Sequence, residues 1–83
     1  MRFLADGMLG KLARRLRMLG HDVIYSVVFK DSELLELAKK EDRVLLTRDL
    51  ELYKRAIIKG MDAYYVEGKI EPERLAQVAK RYG

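Results

Sequence analysis

Eighty-three residues, 49% hydrophobic and 36% charged, suit one compact soluble domain and leave no room for a second core. With no cysteine and a single histidine, the chain excludes disulfides, thiolate zinc sites, cysteine nucleophiles and histidine-rich metal cages. The formal net charge of +4 favours a polyanionic partner, and no apolar run approaches the ~20 residues of a membrane span.

Residues 1–83 are read as a single domain of alternating strands and helices. Phe3-Leu4-Ala5 is a short apolar run, long enough for a buried parallel strand. Asp6 follows, and Gly7 and Gly10 bracket a turn. The apolar positions Leu9, Leu12, Ala13, Leu16 and Leu19 then recur at helical spacing until Gly20, a helix-ending cap. Val23-Ile24-Tyr25 is a second strand. Ser26 to Lys30 form a loop, with strand character open at Val27-Val28-Phe29.

Asp31-Ser32-Glu33 open a second helix that carries Leu34, Leu35, Leu37 and Ala38. Val44-Leu45-Leu46 is the third strand, and Asp49 is placed to cap a third helix, with Leu52, Tyr53, Ala56 and Ile57 inward and Gly60 as its stop. Ala63-Tyr64-Tyr65-Val66 is the fourth strand, with Gly68 in the loop after it. Pro72 belongs to the first turn of the last helix, whose inward stripe is Leu75, Val78, Ala79 and Tyr82.

Strict β-α alternation with short connections implies an α/β domain of three layers, a four-stranded parallel sheet with helices on both faces. Right-handed crossovers favour strand order 2-1-3-4. The chain then reverses direction between the first and third strands, and open α/β sheets bind ligands outside the carboxyl ends of strands at such a switch. Asp6 and Asp49 fall there. Asp31, at the mouth of the second helix, is the third acid that can converge, whereas Asp22, Glu41, Asp42 and Asp62 precede strands and belong to the opposite edge.

Each of the three acids has a plain structural reading as a helix N-cap and a functional one as a metal ligand. Gly7 and Gly10 tilt Asp6 toward function, because they let a backbone or phosphate approach closely. Thr47 could orient the Asp49 carboxylate, and Arg48 could hold a phosphate or reach solvent. Clustered carboxylates repel one another, and a divalent cation resolves that repulsion. Oxygen donors alone suit Mg²⁺ or Mn²⁺. Lys11, Arg14 and Arg15 lie together beyond the apolar stripe. They form either a solvated face or a rail for a nucleic-acid backbone. Together these features point to metal-dependent cleavage of a phosphate ester.

The run from Phe3 to Arg14 with Leu16-Arg17-Met18-Leu19-Gly20, and the blocks Asp31-Ser32-Glu33-Leu34-Leu35 and Arg43-Val44-Leu45-Leu46-Thr47-Arg48-Asp49, resemble the PIN-like ribonuclease domains of the Mut-seven C-terminal family. The resemblance covers Phe3 to about Tyr53. It implies a Rossmann-like PIN fold and hydrolysis of RNA, with single-stranded RNA as the expected partner. Asp6, Asp31 and Asp49 stand in the positions of the family's acids. The expected phosphate contacts are Gly7, Gly10, Lys11, Arg14 and Arg48. PIN domains usually bring four acids, and Glu33 and Glu67 are the candidates for the fourth. Arg15 stands where the family often has tryptophan, and the cysteine-rich ribbon into which many members continue is not represented here.

Four other readings compete with it. A binding module that keeps the fold without efficient chemistry would bind RNA independently of metal. A phosphorelay receiver would need an acid pair after the first strand, and a dehalogenase-type phosphatase would need an aspartate at the position of Met8. A subunit that dimerises, or relies on a partner module, would cover apolar surface that a domain this small leaves open. The expected location is the cytoplasm, with no membrane association.

Overall fold

A computed structural model describes residues 1–67 and 71–82, Glu71 by its backbone alone. It contains β1 (Arg2–Ala5), α1 (Gly10–Met18), β2 (Asp22–Tyr25), α2 (Asp31–Lys40), β3 (Val44–Thr47), α3 (Leu50–Ile58), β4 (Ala63–Tyr65) and α4 (Glu71–Tyr82). The strands form one parallel sheet in the order β2-β1-β3-β4, with Leu4 facing Ile24 on one side and Leu45 on the other. This is the α/β architecture and strand order expected from the sequence. No helix among the described residues is long and apolar enough to cross a membrane.

Alternation along the central strands sorts the core into two layers. Phe3, Ala5, Val44 and Leu46 pack with Leu12 and Leu16 of α1 and Val78 of α4. Leu4 and Leu45 point the other way, onto Leu34 and Leu35 of α2 and Leu52 and Ala56 of α3. Being covered on both faces is what makes β1 and β3 almost continuously apolar. Gly20 and Gly60 end α1 and α3 in the left-handed region, at φ +93° and +74°, where a side chain would be strained.

Several local expectations are corrected. Leu19, Ile57 and Ala79 are exposed, although their spacing predicts an inward stripe. Leu19 is already the cap residue of α1, and Ile57 and Ala79 sit one position round the helix from Ala56 and Val78, outside the arc that the sheet covers. Residues 27–30 form no strand, and β4 stops at Tyr65, although buried Val66 still donates to the Thr47 carbonyl at 2.8 Å. Gly68 lies outside the described residues.

At the amino edge of the sheet one side chain ties three strands together. The Arg43 side chain is 5% exposed and lies at the entrance to β3. Its Nη1 donates to the Phe3 carbonyl at 3.1 Å, the Asp22 carbonyl at 3.2 Å and Asp22 Oδ1 at 3.0 Å, and its Nε donates to Glu41 Oε1 at 2.8 Å. Burial alone would weaken the guanidinium's hold on its proton, but the bonds to Glu41 and Asp22 more than reverse this. The same hydrogen bond from Arg43 holds the Asp22 carboxyl below its ordinary value of 3.8.

Replacing Arg43 with methionine keeps the stem and removes the charge and its donors. It should destabilise the fold by about 2 kcal/mol in denaturant titrations, because buried carbonyls lose their donor. The folded Asp22 carboxyl titrates below the unfolded one. Its stabilisation is therefore present above the ordinary carboxylate range and is lost as pH falls through the lowered folded value. Stability of the wild type should accordingly drop in acid, and Arg43→Met should flatten that part of the pH profile.

Candidate active site

The carboxyl edge is organised by Asp6. Its backbone N–H extends the sheet by donating to the Leu46 carbonyl at 3.1 Å, which brings its side chain to the end of β3. The side chain is buried, yet it is satisfied. Oδ1 accepts from the Met8 N–H at 2.9 Å, and Oδ2 accepts from the Thr47 hydroxyl and from the Arg48 N–H at 3.3 Å. Asp6 therefore does not cap α1. Leu9 occupies that position and makes no side-chain cap. The carboxylate is turned across the switch point rather than down the helix.

Thr47 is fully buried and links two acids. Its hydroxyl donates to Asp6 and accepts from the Asp49 N–H at 2.9 Å. The spacing predicts a Thr47 contact to the Asp49 carboxylate, and the contact that forms is to the Asp49 backbone. The Asp49 carboxylate caps α3, Oδ1 accepting from the N–H groups of Glu51 at 3.0 Å and Leu52 at 3.3 Å. Its Oδ2 accepts no hydrogen bond from the described residues.

Asp31 is placed differently. It is the first residue of α2 and not its cap, a position taken by Lys30, whose N–H donates to Glu33 Oε1 at 2.8 Å. Asp31 Oδ2 lies 3.8 Å from Arg55 Nη1 of α3, with both side chains about half exposed. Glu33 is thus used as a capping group, and Glu67 is exposed beyond β4, its N–H bonded to Gln77 at 2.9 Å. Among the described residues, no three His, Cys, Asp or Glu side chains stand close enough to share a metal ion.

The glycines have internal partners. The Tyr25 hydroxyl donates to the Gly7 carbonyl at 3.0 Å, and a Cβ on Gly10 would lie 3.0 Å from the same hydroxyl and 3.1 Å from the ring. A Cβ on Gly7 would meet the Val27 backbone at 3.3 Å. The tight approach expected of a phosphate is occupied by a tyrosine and the 26–28 loop. Tyr25 positions the turn that carries Asp6, and nothing in the sequence marks it for that role. Arg48 is also engaged, with Nη1 donating to the Val66 carbonyl at 2.8 Å. Lys11 and Arg14 lie exposed on α1.

These donors can be tested against the divalent ion that the family resemblance implies. Among the described residues a three-carboxylate cage is not assembled. Asp6 and Asp49, joined through Thr47, offer oxygen donors only, which fits an Mg²⁺- or Mn²⁺-type ion that keeps several waters and takes one or two carboxylates from protein.

A family model described as the Mut7-C RNAse domain matches residues 1–83, the whole chain. Comparison with curated proteins and with solved structures found no match.

Because the Thr47 hydroxyl serves two partners, Thr47→Val should cost about 2–3 kcal/mol, leaving a buried carboxylate short of a donor and the Asp49 N–H unpaired. Thr47→Ser, which keeps the hydroxyl, should recover most of that loss in the same denaturant midpoint.

Proposed function

This chain belongs to the Mut7-C RNAse domain family, and on that premise we propose that it is a metal-dependent ribonuclease centred on Asp6 and Asp49. The observation that carries the reading is the Asp6–Thr47–Asp49 linkage at the switch between β1 and β3. Asp6 and Asp49 would hold Mg²⁺ or Mn²⁺, which when bound acidifies a water and offsets charge on a phosphodiester oxygen. The protein's own contribution is placement. Thr47 and the Met8 and Arg48 N–H groups fix the Asp6 carboxylate, so its orientation costs nothing further when RNA arrives. Lys11 and Arg14 attract the polyanion, and Arg48 adds positive charge beside the acids.

Asp31 enters this site only by leaving Arg55. That pair is half exposed and long, so releasing it costs under about 1 kcal/mol. The same contact favours a second reading, an RNA-binding module in which the third acid stays on the α2–α3 surface and turnover is slow.

Asp49→Asn separates the two readings cleanly. Asparagine caps a helix as well as aspartate, so the melting temperature should hold while the charge is lost. Asp6→Asn is a harsher change, because an amide cannot accept from all three of the Asp6 donors. With end-labelled single-stranded RNA, cleavage should require Mn²⁺ or Mg²⁺, stop in EDTA, and fall about 100-fold or more in Asp49→Asn. Metal-independent binding without product in the wild type would establish the binding module instead. Cleavage undiminished in the variant would remove Asp49 from the site.

A further inference from the structure

Between α1 and α4 runs an open groove of about 550 Å³, lined by Lys11, Arg14, Arg15, Met18, Leu19 and Leu75. Three features set it apart. Among the described residues, Lys11, Arg14 and Arg15 form no ion pair and no acid lines the groove. Arg17, the remaining arginine of α1, is committed elsewhere, its Nε donating to the Val23 carbonyl at 2.9 Å. Met18 and Leu19 are 83% and 61% exposed, large apolar side chains that the core does not use.

The lining is also ordered along the helix. Lys11, Arg14 or Arg15, and Met18 follow one another at spacings of three and four residues, so they share one face. The cations come first, nearest the turn that carries Asp6, and Met18 follows about 10 Å beyond Lys11 and about 5 Å beyond Arg15. An amphipathic protein helix would need apolar anchors along the whole groove. Here the two exposed ones, Met18 and Leu19, stand together at the end of α1, beyond Lys11, Arg14 and Arg15. That pattern suits a charged backbone ending in a flat apolar ring.

We propose that this groove seats an unpaired nucleotide of single-stranded RNA. Its phosphates lie on Lys11, Arg14 and Arg15, and its base covers Met18, Leu19 and Leu75. The proposal deepens the nuclease reading and rests on it for the class of ligand. A duplex keeps its bases stacked and has none to offer, so the groove selects single strands. Its floor is aliphatic and thioether, with no directional donors, so it accepts any base.

The test measures binding in EDTA, where neither metal nor cleavage contributes. Fluorescence anisotropy would follow a labelled 12-nucleotide oligouridine, and a duplex of equal length, on the full chain. Arg14→Gln/Arg15→Gln should weaken single-strand binding about tenfold and lower the slope of log affinity against log salt by about 1.4. Met18→Ser/Leu19→Ser alters exposed residues only. It should weaken single-strand binding about three- to tenfold with the salt slope unchanged and duplex binding unaffected. Thermal melts of both variants would confirm that they fold.

Duplex bound as tightly as single strand, or a Met18→Ser/Leu19→Ser variant that binds like the wild type, would overturn the assignment. So would capture of a leucine-bearing acidic peptide by a groove that ignores RNA, which would make it a protein-docking face. The two readings fail separately. Groove binding with no metal-dependent cleavage leaves this proposal standing and ends the nuclease reading. Cleavage by a protein whose binding ignores Met18 and Leu19 does the reverse.

Discussion

A carboxylate buried between two strand ends is the constraint on which this small domain turns. Taking Asp6 out of water is tolerable only because its oxygens meet three donors, from Met8, Thr47 and Arg48. Two of these come from the far side of the switch point, so β1 and β3 must stand in register for the charge to be satisfied. The ladder that pairs Ala5 with Leu46 and the side-chain contact one residue later therefore demand the same alignment. A slip of one residue would bury the charge unpaired and split Leu4 and Leu45, now paired on one face, between opposite layers.

The two edges of the sheet use charge in opposite ways. At the amino edge, buried Arg43 is surrounded by the acids Asp22 and Glu41, and Arg2 lies against both at 3.9 and 3.6 Å. The cluster is closed on itself and serves the fold. At the carboxyl edge, Asp6 is satisfied by neutral donors, so its negative charge remains uncancelled, while Lys11, Arg14 and Arg15, which form no ion pair among the described residues, stand on the helix that follows it. A net charge of +4 says little by itself. Its meaning comes from where particular cations stand, because Lys11, Arg14 and Arg15 share the first helix after Asp6, whereas Arg43 and Arg2 are taken up by acids.

Much of this was legible in the sequence, and the limits are physical. Strand order follows from alternation and crossover handedness, and the two-layer core follows from period-2 strands against period-3.6 helices. What periodicity cannot carry is the direction of a side chain after its element ends. Asp6 and Asp31 look alike as acids at helix mouths. One swings across to a neighbouring strand because Thr47 waits there, and the other lies against Arg55 on the next helix. Tyr25 sits 15 residues beyond Gly10 and explains why glycine is needed there, a contact that only the assembled sheet reveals. Arg43 reads as one more surface arginine until three strands are seen to meet on it.

The same hydrogen bonds that make Asp6 tolerable also limit it as a ligand. An oxygen that already accepts an N–H or O–H shares its electron density and offers less to a cation, whereas Asp49 keeps one oxygen clear of the described donors. Asp6 holds the edge in register, and on the proposed reading Asp49 would be the more available of the two metal donors. A site of this kind, with few protein ligands and substrate oxygens to complete the shell, would bind metal better with RNA present than without it. On the proposed reading, the burden of affinity would then fall on the basic face of α1.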